Sequence, residues 1–255
     1  MVMELKETKE AAPLFGNWQE TLIWSSIQGI MGKIYVDSLE KPASAIAILG
    51  DFCFPAGKPE KGFLLDGLKK GRQEFMIVVP QSQAWGDLIE TCLGEKAKPV
   101  TRYAIKKEGD IFDRGKLQAI VDTLPEGYRL QMIDEELFLY CGRINWCRDW
   151  VRQYENYDLY QKHGLGAVIL KDGEPVSGAS SYSGYMGGIE IEIVTREDYR
   201  RKGLASICGA KLILECLKRG WYPSWDAQNL WSVSLAEKLG YHFDYKYAAY
   251  EVVQK

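Results

Sequence analysis

The sequence feature that most constrains the fold is a junction near residue 200, where a strand pattern passes into a helix pattern. The strand pattern alternates apolar and acidic side chains, as in a strand with one apolar and one polar face: Ile189, Glu190, Ile191, Glu192 and Ile193. From residue 204 to 217 apolar residues recur at helical spacing, and Gly220 follows as a helix stop signal. The junction therefore predicts a strand, a short turn and a helix in direct succession.

The turn at this junction is basic and contains one glycine. It reads Arg200-Arg201-Lys202-Gly203-Leu204-Ala205. The first turn of a helix offers backbone N–H groups that lack intrahelical acceptors, and it carries the positive end of the helix dipole. Three cationic side chains add to that charge, and a glycine lets a ligand approach the backbone closely. The turn therefore indicates an anion-binding site, although a basic turn before a helix is also typical of a solvated helix cap.

The same turn carries a resemblance to a known family. Residues 200–205 fit the pattern R/Q-x-x-G-x-G/A, the pyrophosphate loop of the GNAT superfamily of acyl-CoA-dependent N-acyltransferases, and the chain resembles that family. Asn229 and residues 235–241 match a second GNAT pattern, N-x-x-A-x-x-L-Y-x-x-x-G-F, at most positions and with one gap. Neither the G-x-G-x-x-G dinucleotide fingerprint nor the G-x-x-x-x-G-K-[ST] loop occurs. The resemblance covers residues 126–255 and implies acetyl-CoA as the co-substrate.

The remaining patterns predict an α+β chain, with a mixed α/β sheet, in two domains. Residues 126–255 show the GNAT order β-α-α-β-β-β-α-β-α-β, which includes a helix over residues 146–154 and a hairpin through Asp172-Gly173. Residues 1–115 mix strand and helix patterns and predict a smaller α+β domain, and residues 116–125 predict a linker helix. We expect a two-domain member of the superfamily, whose amino-terminal domain helps to shape the acceptor site.

Two carboxylates are the candidates for proton transfer. An amine that attacks a thioester must arrive uncharged, so a group near the site has to accept its proton. Glu190 and Glu192 are two positions apart in the predicted strand and therefore share one face of it. Either one is a candidate general base, acting directly or through water. The alternative is that both are solvent-facing residues of an amphipathic strand.

The resemblance also implies which residues hold the cofactor. In similar enzymes the pantetheine arm takes backbone hydrogen bonds from the end of this strand, which corresponds here to Val194 and Thr195. The pyrophosphate corresponds to the turn of residues 200–205. Asn229 matches the family asparagine near the CoA arm, and a helix N-cap is its alternative role.

One position departs from the family pattern. The family often has a tyrosine as the acid for the leaving thiolate, and the matching residue here is Ala236. Ser232 is our candidate replacement, and Ser234 is a second hydroxyl in reach of the same region. Short hydroxyls on helices are more commonly exposed or bonded to the backbone.

These observations favour an N-acetyltransferase that moves an acetyl group from acetyl-CoA to a primary amine of a small molecule or peptide, by direct attack in a ternary complex. A catalytically weak protein that binds or senses acyl-CoA is the alternative that Ala236 favours. A phosphate clamp for nucleic acid is a third alternative, but three cations in one turn do not form the extended basic patch that such binding needs. We therefore expect no nucleic-acid partner, and the oligomeric state stays open.

Composition sets further limits on the function. The chain has 255 residues and a formal net charge of -3, which favours neither nucleic acid nor anionic lipid. Six cysteines form no C-x-x-C pair, and the two histidines are too few for a multi-histidine site, so we expect no metal. The amino terminus lacks the apolar core of a signal peptide, and no apolar run is long enough to span a bilayer. We expect a cytoplasmic protein with no membrane partner.

Overall fold

A computed structural model describes residues 2–71 and 74–253 and contains two β-sheets with helices between the strands. Strands of the first half are β1 (Met3–Glu4), β2 (Lys33–Val36), β3 (Ser44–Leu49), β4 (Phe52–Gly57), β5 (Phe75–Val78) and β6 (Ala97–Ile105). Strands of the second half are β7 (Tyr128–Met132), β8 (Gly166–Lys171), β9 (Glu174–Tyr185), β10 (Gly188–Thr195), β11 (Tyr222–Ser224), β12 (Asp226–Ala227) and β13 (Phe243–Val253). This mixed architecture confirms the predicted fold class.

The helices lie mostly in the connections between strands. They are α1 (Ala12–Phe15), α2 (Thr21–Ile27), α3 (Lys61–Leu68), α4 (Gln83–Leu93), α5 (Arg114–Val121), α6 (Glu135–Cys141), α7 (Tyr157–His163), α8 (Leu204–Lys218) and α9 (Leu230–Lys238). Within the described residues, no helix is both long and apolar enough to cross a membrane.

The chain forms two compact units. The first contains residues 1–102 together with residues 246–255, and the second contains residues 103–245. In the first unit the strands follow the order β1-β2-β3-β4-β5-β13, with β13 antiparallel to β5. A core of aliphatic and aromatic side chains, including Trp85 and Phe63, packs against this sheet. This division differs from the predicted segments 1–115, 116–125 and 126–255, and independent folding of those segments stays a prediction.

The difference has a physical reason at each boundary. The predicted linker helix is α5, whose Leu117 is buried in the same core as α8, so this helix is part of the second unit. The end of the chain pairs with β5 through residues 250–253, so it belongs to the first unit. Strand pairing between distant segments leaves no local signal in the sequence.

The second unit is built on a five-stranded sheet in the order β11-β10-β9-β8-β7. Neighbouring strands in it are antiparallel except β10 and β11, which are parallel because the crossover helix α8 joins them. Ile189 and Ile191 of β10 pack with the apolar residues of α8 in one core. The predicted succession of strand, turn and helix is confirmed by β10 and α8, and the predicted hairpin by β8 and β9.

The predicted helix over residues 146–154 is wrong. This stretch contains only a 3-10 helix, Arg148–Trp150, and turns, while the helix of this region is α7. Asn156 begins that helix, because its side chain accepts a hydrogen bond from the backbone N–H of Leu159. Trp150 and Tyr154 recur at helical spacing because both are buried against β9, so their spacing reflects core packing.

Candidate functional site

Strand β10 has two different halves. Its first residues pair with β9 on one side and with β11 on the other, in the register Gly188 with Tyr222 and Glu190 with Ser224. Strand β11 ends at Ser224, and the chain continues into β12, which pairs with β6. From Ile191 to Thr195, β10 therefore continues beyond the end of β11 and keeps β9 as its paired neighbour. The two parallel strands separate at Glu190.

Two backbone hydrogen bonds fix which groups of β10 are directed toward this separation. The N–H of Arg196 donates to the carbonyl of Val176 at 2.9 Å, on the β9 side, and the N–H of Tyr222 donates to the carbonyl of Gly187 at 2.8 Å, on the β11 side. Backbone groups alternate sides along a strand. Those of Ile193 and Thr195 are therefore directed toward the separation, whereas those of Val194 are directed toward β9.

The turn after β10 exposes backbone and cationic groups together. Arg201 and Gly203 both have left-handed backbone conformations, with φ of 61° and 79°. A Cβ built on Gly203 has no heavy atom within 4 Å, so the space in front of this residue is open. Helix α8 begins at the next residue, and the amides of Leu204 and Ala205 precede that of Ser206, which donates to the Gly203 carbonyl at 3.1 Å. The geometry fits a phosphate-bearing ligand.

The basic side chains of the turn are arranged around Tyr199 and Thr195. The Lys202 ammonium and the Arg196 guanidinium each lie 4.5 Å from the centre of the Tyr199 ring. The Arg200 guanidinium donates from Nε to the carbonyl of Thr195 at 3.3 Å. Two of these cations are paired with acidic side chains at the end of β10, Arg196 with Asp198 at 2.8 Å and Arg200 with Glu197 at 3.9 Å.

The two candidate carboxylates differ in burial. Glu190 is 7% exposed, whereas Glu192 is half-buried. Both extend from the face of β10 opposite α8, because Ile189 and Ile191, which alternate with them, pack in one core with that helix. The alternative interpretation of two solvent-facing residues therefore does not describe Glu190. A carboxylate excluded from water, at the point where two strands separate, has the surroundings of a functional group.

Helix α9 is capped at its amino terminus by Asn229. Asn229 is the N-cap, and its side-chain oxygen accepts from the backbone N–H of Ser232 at 3.0 Å. Ser232 Oγ accepts from Trp225 Nε1 at 3.0 Å, so its own proton is available to another acceptor. Ala236 lies one turn later and is completely buried in the core that contains α8. A tyrosine would not fit at that position without displacing core atoms.

Several residues around Glu190 were not identified from the sequence. Ser183 and Ser224 are its partners in register on the two neighbouring strands, and both are fully buried. The Tyr185 ring crosses Gly188, since a Cβ on that glycine would lie 2.4 Å from the Tyr185 hydroxyl. Burial is the main cause that raises the pKa of Tyr185, and the negative charge of Glu190 is the second. Only the serine content of residues 177–183 is visible in the sequence, and it does not reveal the register.

With this geometry in place, comparison with known proteins decides the family. The sequence pattern of the GNAT acetyltransferase family matches residues 12–250. The chain belongs to the GNAT acetyltransferase family. The predicted resemblance is thereby confirmed, and the match extends over both units of this GNAT protein.

Individual relatives agree with this assignment. A GCN5-related N-acetyltransferase-like protein from Streptococcus suis 89/1591 is 49% identical, has a TM-score of 0.91, and matches over 97% of this GNAT chain and 98% of its own. An uncharacterized N-acetyltransferase of Bacillus subtilis (strain 168), YdfB, is 26% identical over 246 residues, which are 90% of this chain and 89% of the relative. A GCN5-related N-acetyltransferase from Kribbella flavida, 14% identical with a TM-score of 0.58 over 94% and 97% of the two chains, shares the fold. The family and its relatives support N-acetyltransferase activity for this GNAT protein.

Proposed function

We propose that this protein transfers an acetyl group from acetyl-CoA to a primary amine of a small molecule or peptide, by direct attack within a ternary complex. The observation that carries the proposal is the separation of β10 from β11 at Glu190, immediately before a cationic turn that leads into α8. The strand edge and the turn together offer donors for an extended ligand that ends in a pyrophosphate.

The cofactor contacts follow from the direction of each group. Thr195 and Ile193 have backbone groups on the side of the separation and would pair with the amides of the pantetheine arm. The resemblance also implies Val194 as a cofactor contact. Its backbone groups are directed toward β9, so it only spaces Ile193 and Thr195 along this edge. The pyrophosphate would lie against Gly203 and the amides of Leu204 and Ala205, with charge from Arg200, Arg201 and Lys202.

Acetyl-CoA supplies the acetyl group and a thiolate leaving group. Glu190 accepts a proton from the acceptor ammonium, and the neutral amine then attacks the thioester carbonyl, since a buried carboxylate at the separation is held close to the reacting centre. Glu192 lies two residues nearer the turn and is the second candidate base. Ser232 is the candidate proton donor for the thiolate, because Trp225 occupies its acceptor site and leaves its hydroxyl proton free to donate.

A panel of primary amines, assayed by release of free thiol from acetyl-CoA, tests this proposal. The panel contains aminosugars, polyamines, aromatic amines and peptides with a free amino terminus, each with its N,N-dimethyl counterpart as a matched control. We expect thiol release with at least one primary amine and none with the dimethyl control. Tight calorimetric binding of acetyl-CoA without thiol release would instead support the acyl-CoA-sensing alternative. Absence of acetyl-CoA binding would contradict both.

A further inference from the structure

Three side chains from three neighbouring strands meet on one face of the second sheet. Ser183 of β9, Glu190 of β10 and Ser224 of β11 are partners in register, so their side chains extend from the same face. The exposed fraction is 0% for each serine and 7% for Glu190. A buried carboxylate therefore lies between two buried hydroxyl groups.

Within the part of the chain that the structure describes, the Ser183 hydroxyl has no hydrogen-bond partner. Its Oγ atom is nevertheless buried. Leaving a buried hydroxyl without a partner is costly, so such a group commonly serves an acceptor that it reaches by rotation about χ1. Glu190, on the adjacent strand, is the in-register acceptor.

Ser224 lies beside the same carboxylate on the other neighbouring strand, and within the described residues its buried Oγ has no hydrogen-bond partner. The Tyr185 hydroxyl donates a hydrogen bond to the carbonyl of Tyr222 at 3.4 Å. Tyr185 therefore directs its one proton at that carbonyl, and the proton of Ser224 is available to Glu190, its in-register neighbour. Hydrogen bonds of this kind strengthen one another when water is excluded.

We propose that Ser183 and Ser224 are positioning residues that donate hydrogen bonds to Glu190 and keep its carboxylate ionised in the interior. Burial alone would favour the protonated acid, which cannot accept a proton from an amine. Two hydroxyl donors oppose that effect and also fix the direction of the carboxylate. The inference rests on the proposed role of Glu190 as the base.

Other titratable groups face Glu190 and have to be considered. The hydroxyls of Tyr185, Tyr222 and Tyr241 lie close enough for its charge to act on them, and burial is the main reason that the pKa of each is raised. The 3-10 helix Arg148–Trp150 also packs against β10, and its Asp149 forms an ion pair with Arg152 at 3.0 Å. The raised pKa of each tyrosine keeps it neutral through the physiological range, so none of the three adds charge beside Glu190.

The experiment follows the carboxyl titration of Glu190 directly. The full-length protein is labelled with carbon-13 at glutamate carboxyl groups, and Glu190→Gln identifies the resonance. Removing a hydrogen-bond donor disfavours the charged carboxylate. Ser183→Ala and Ser224→Ala should therefore each raise the midpoint of the Glu190 titration by about 1 to 2 pH units. The acid limb of kcat/KM should move to higher pH by the same amount.

Ser180→Ala is the matched control. Ser180 lies on the same strand and is equally buried, but its hydroxyl bonds to the Trp150 carbonyl at 2.7 Å and to the Tyr160 hydroxyl at 2.8 Å. Its loss should lower the thermal midpoint and leave the Glu190 midpoint unchanged. An unchanged Glu190 midpoint in both Ser183→Ala and Ser224→Ala would overturn the proposal. If one of these variants does not fold, an unchanged midpoint in the other is enough to overturn it.

Failure of the proposed function would look different. If Glu190→Gln keeps wild-type turnover while the serine variants shift the Glu190 midpoint, the serine hydrogen bonds to Glu190 are supported and its role as the base is contradicted. If Glu190→Gln abolishes turnover and the serine variants do not move the Glu190 midpoint, the role of Glu190 as the base is supported and the positioning role of the serines is contradicted.

Discussion

The two halves of β10 differ in what surrounds them, and the difference separates two kinds of chemistry. Its first half, up to Glu190, is paired on both sides and excludes water from a carboxylate. Its second half, from Ile191 to Thr195, is paired with β9 on one side and leads into an exposed basic turn. A single strand thus carries a shielded carboxylate at one end and a backbone edge without a β11 partner at the other.

The comparison also shows why side-chain identity matters unequally along the strand. In the proposed function, turnover depends on the Glu190 carboxylate and on the side chains packed around it. The proposed cofactor contacts between Ile193 and Gly203 instead use backbone groups, so they depend on strand pairing, on where α8 begins and on the left-handed conformation of Gly203. Variants of the first half should therefore change turnover, and variants of the second half should change affinity.

The largest effect is expected from the shielded half. Glu190→Gln should lower kcat by about a hundredfold to ten-thousandfold, the usual contribution of a general base, and leave the affinity for acetyl-CoA unchanged. Because the base must be ionised, wild-type turnover rises with pH through its titration, and the variant should lose that rise. Turnover is measured against pH with an acceptor from the amine panel, and acetyl-CoA affinity by calorimetry.

Glu192→Gln is the matched variant for that measurement, since it removes the second carboxylate from the same face of the strand. A large loss confined to Glu192→Gln would move the base toward the turn and contradict our contrast between the two halves. Wild-type rates and pH profiles in both variants would show that neither carboxylate is the base.

An intermediate effect is expected in the turn. Gly203→Val should weaken acetyl-CoA binding at least about tenfold, or about 1.4 kcal/mol, because a branched side chain would fill the open space where the pyrophosphate is expected. The left-handed conformation adds a stability cost of about 1–2 kcal/mol. Calorimetry measures the affinity, and thermal unfolding measures the stability.

Gly173→Val is a close control for this substitution. Gly173 has a φ of 86°, and a Cβ built on it also meets nothing within 4 Å, but it lies in the turn between β8 and β9. Its stability cost should match that of Gly203→Val, with unchanged affinity for acetyl-CoA. Equal affinities for all three proteins would place the pyrophosphate elsewhere.

The smallest effect concerns Asn229, which belongs to neither half of β10. Asn229→Ala should lower the free energy of unfolding by about 1 kcal/mol through loss of the α9 cap. Asn156→Ala removes an equivalent cap, since its side chain also accepts from a backbone N–H at 3.0 Å. Chemical denaturation compares the two losses. Weaker acetyl-CoA binding in Asn229→Ala alone would add a cofactor contact to its capping role.

Local patterns predicted the junction and most elements of the second unit correctly. The alternation of isoleucine and glutamate, the helical spacing after Gly203 and the Asp172-Gly173 turn each report on residues close in sequence. The same reasoning failed at residues 146–154, where aromatic spacing reflected burial against β9. It also could not assign residues 250–253 to β5, because that pairing joins distant segments.

The sequence by itself determined the basic turn, the helix that follows it and the family to which they point, because these depend on contiguous residues. Only the tertiary structure decided that Glu190 is shielded from water while Glu192 is half-buried, since the alternation of side chains makes the two equivalent. It also decided that Ser183 and Ser224 flank Glu190, and that β11 ends where β10 continues. Strand register and strand length relative to a neighbour are set by packing between segments far apart in the chain, and no local pattern encodes them.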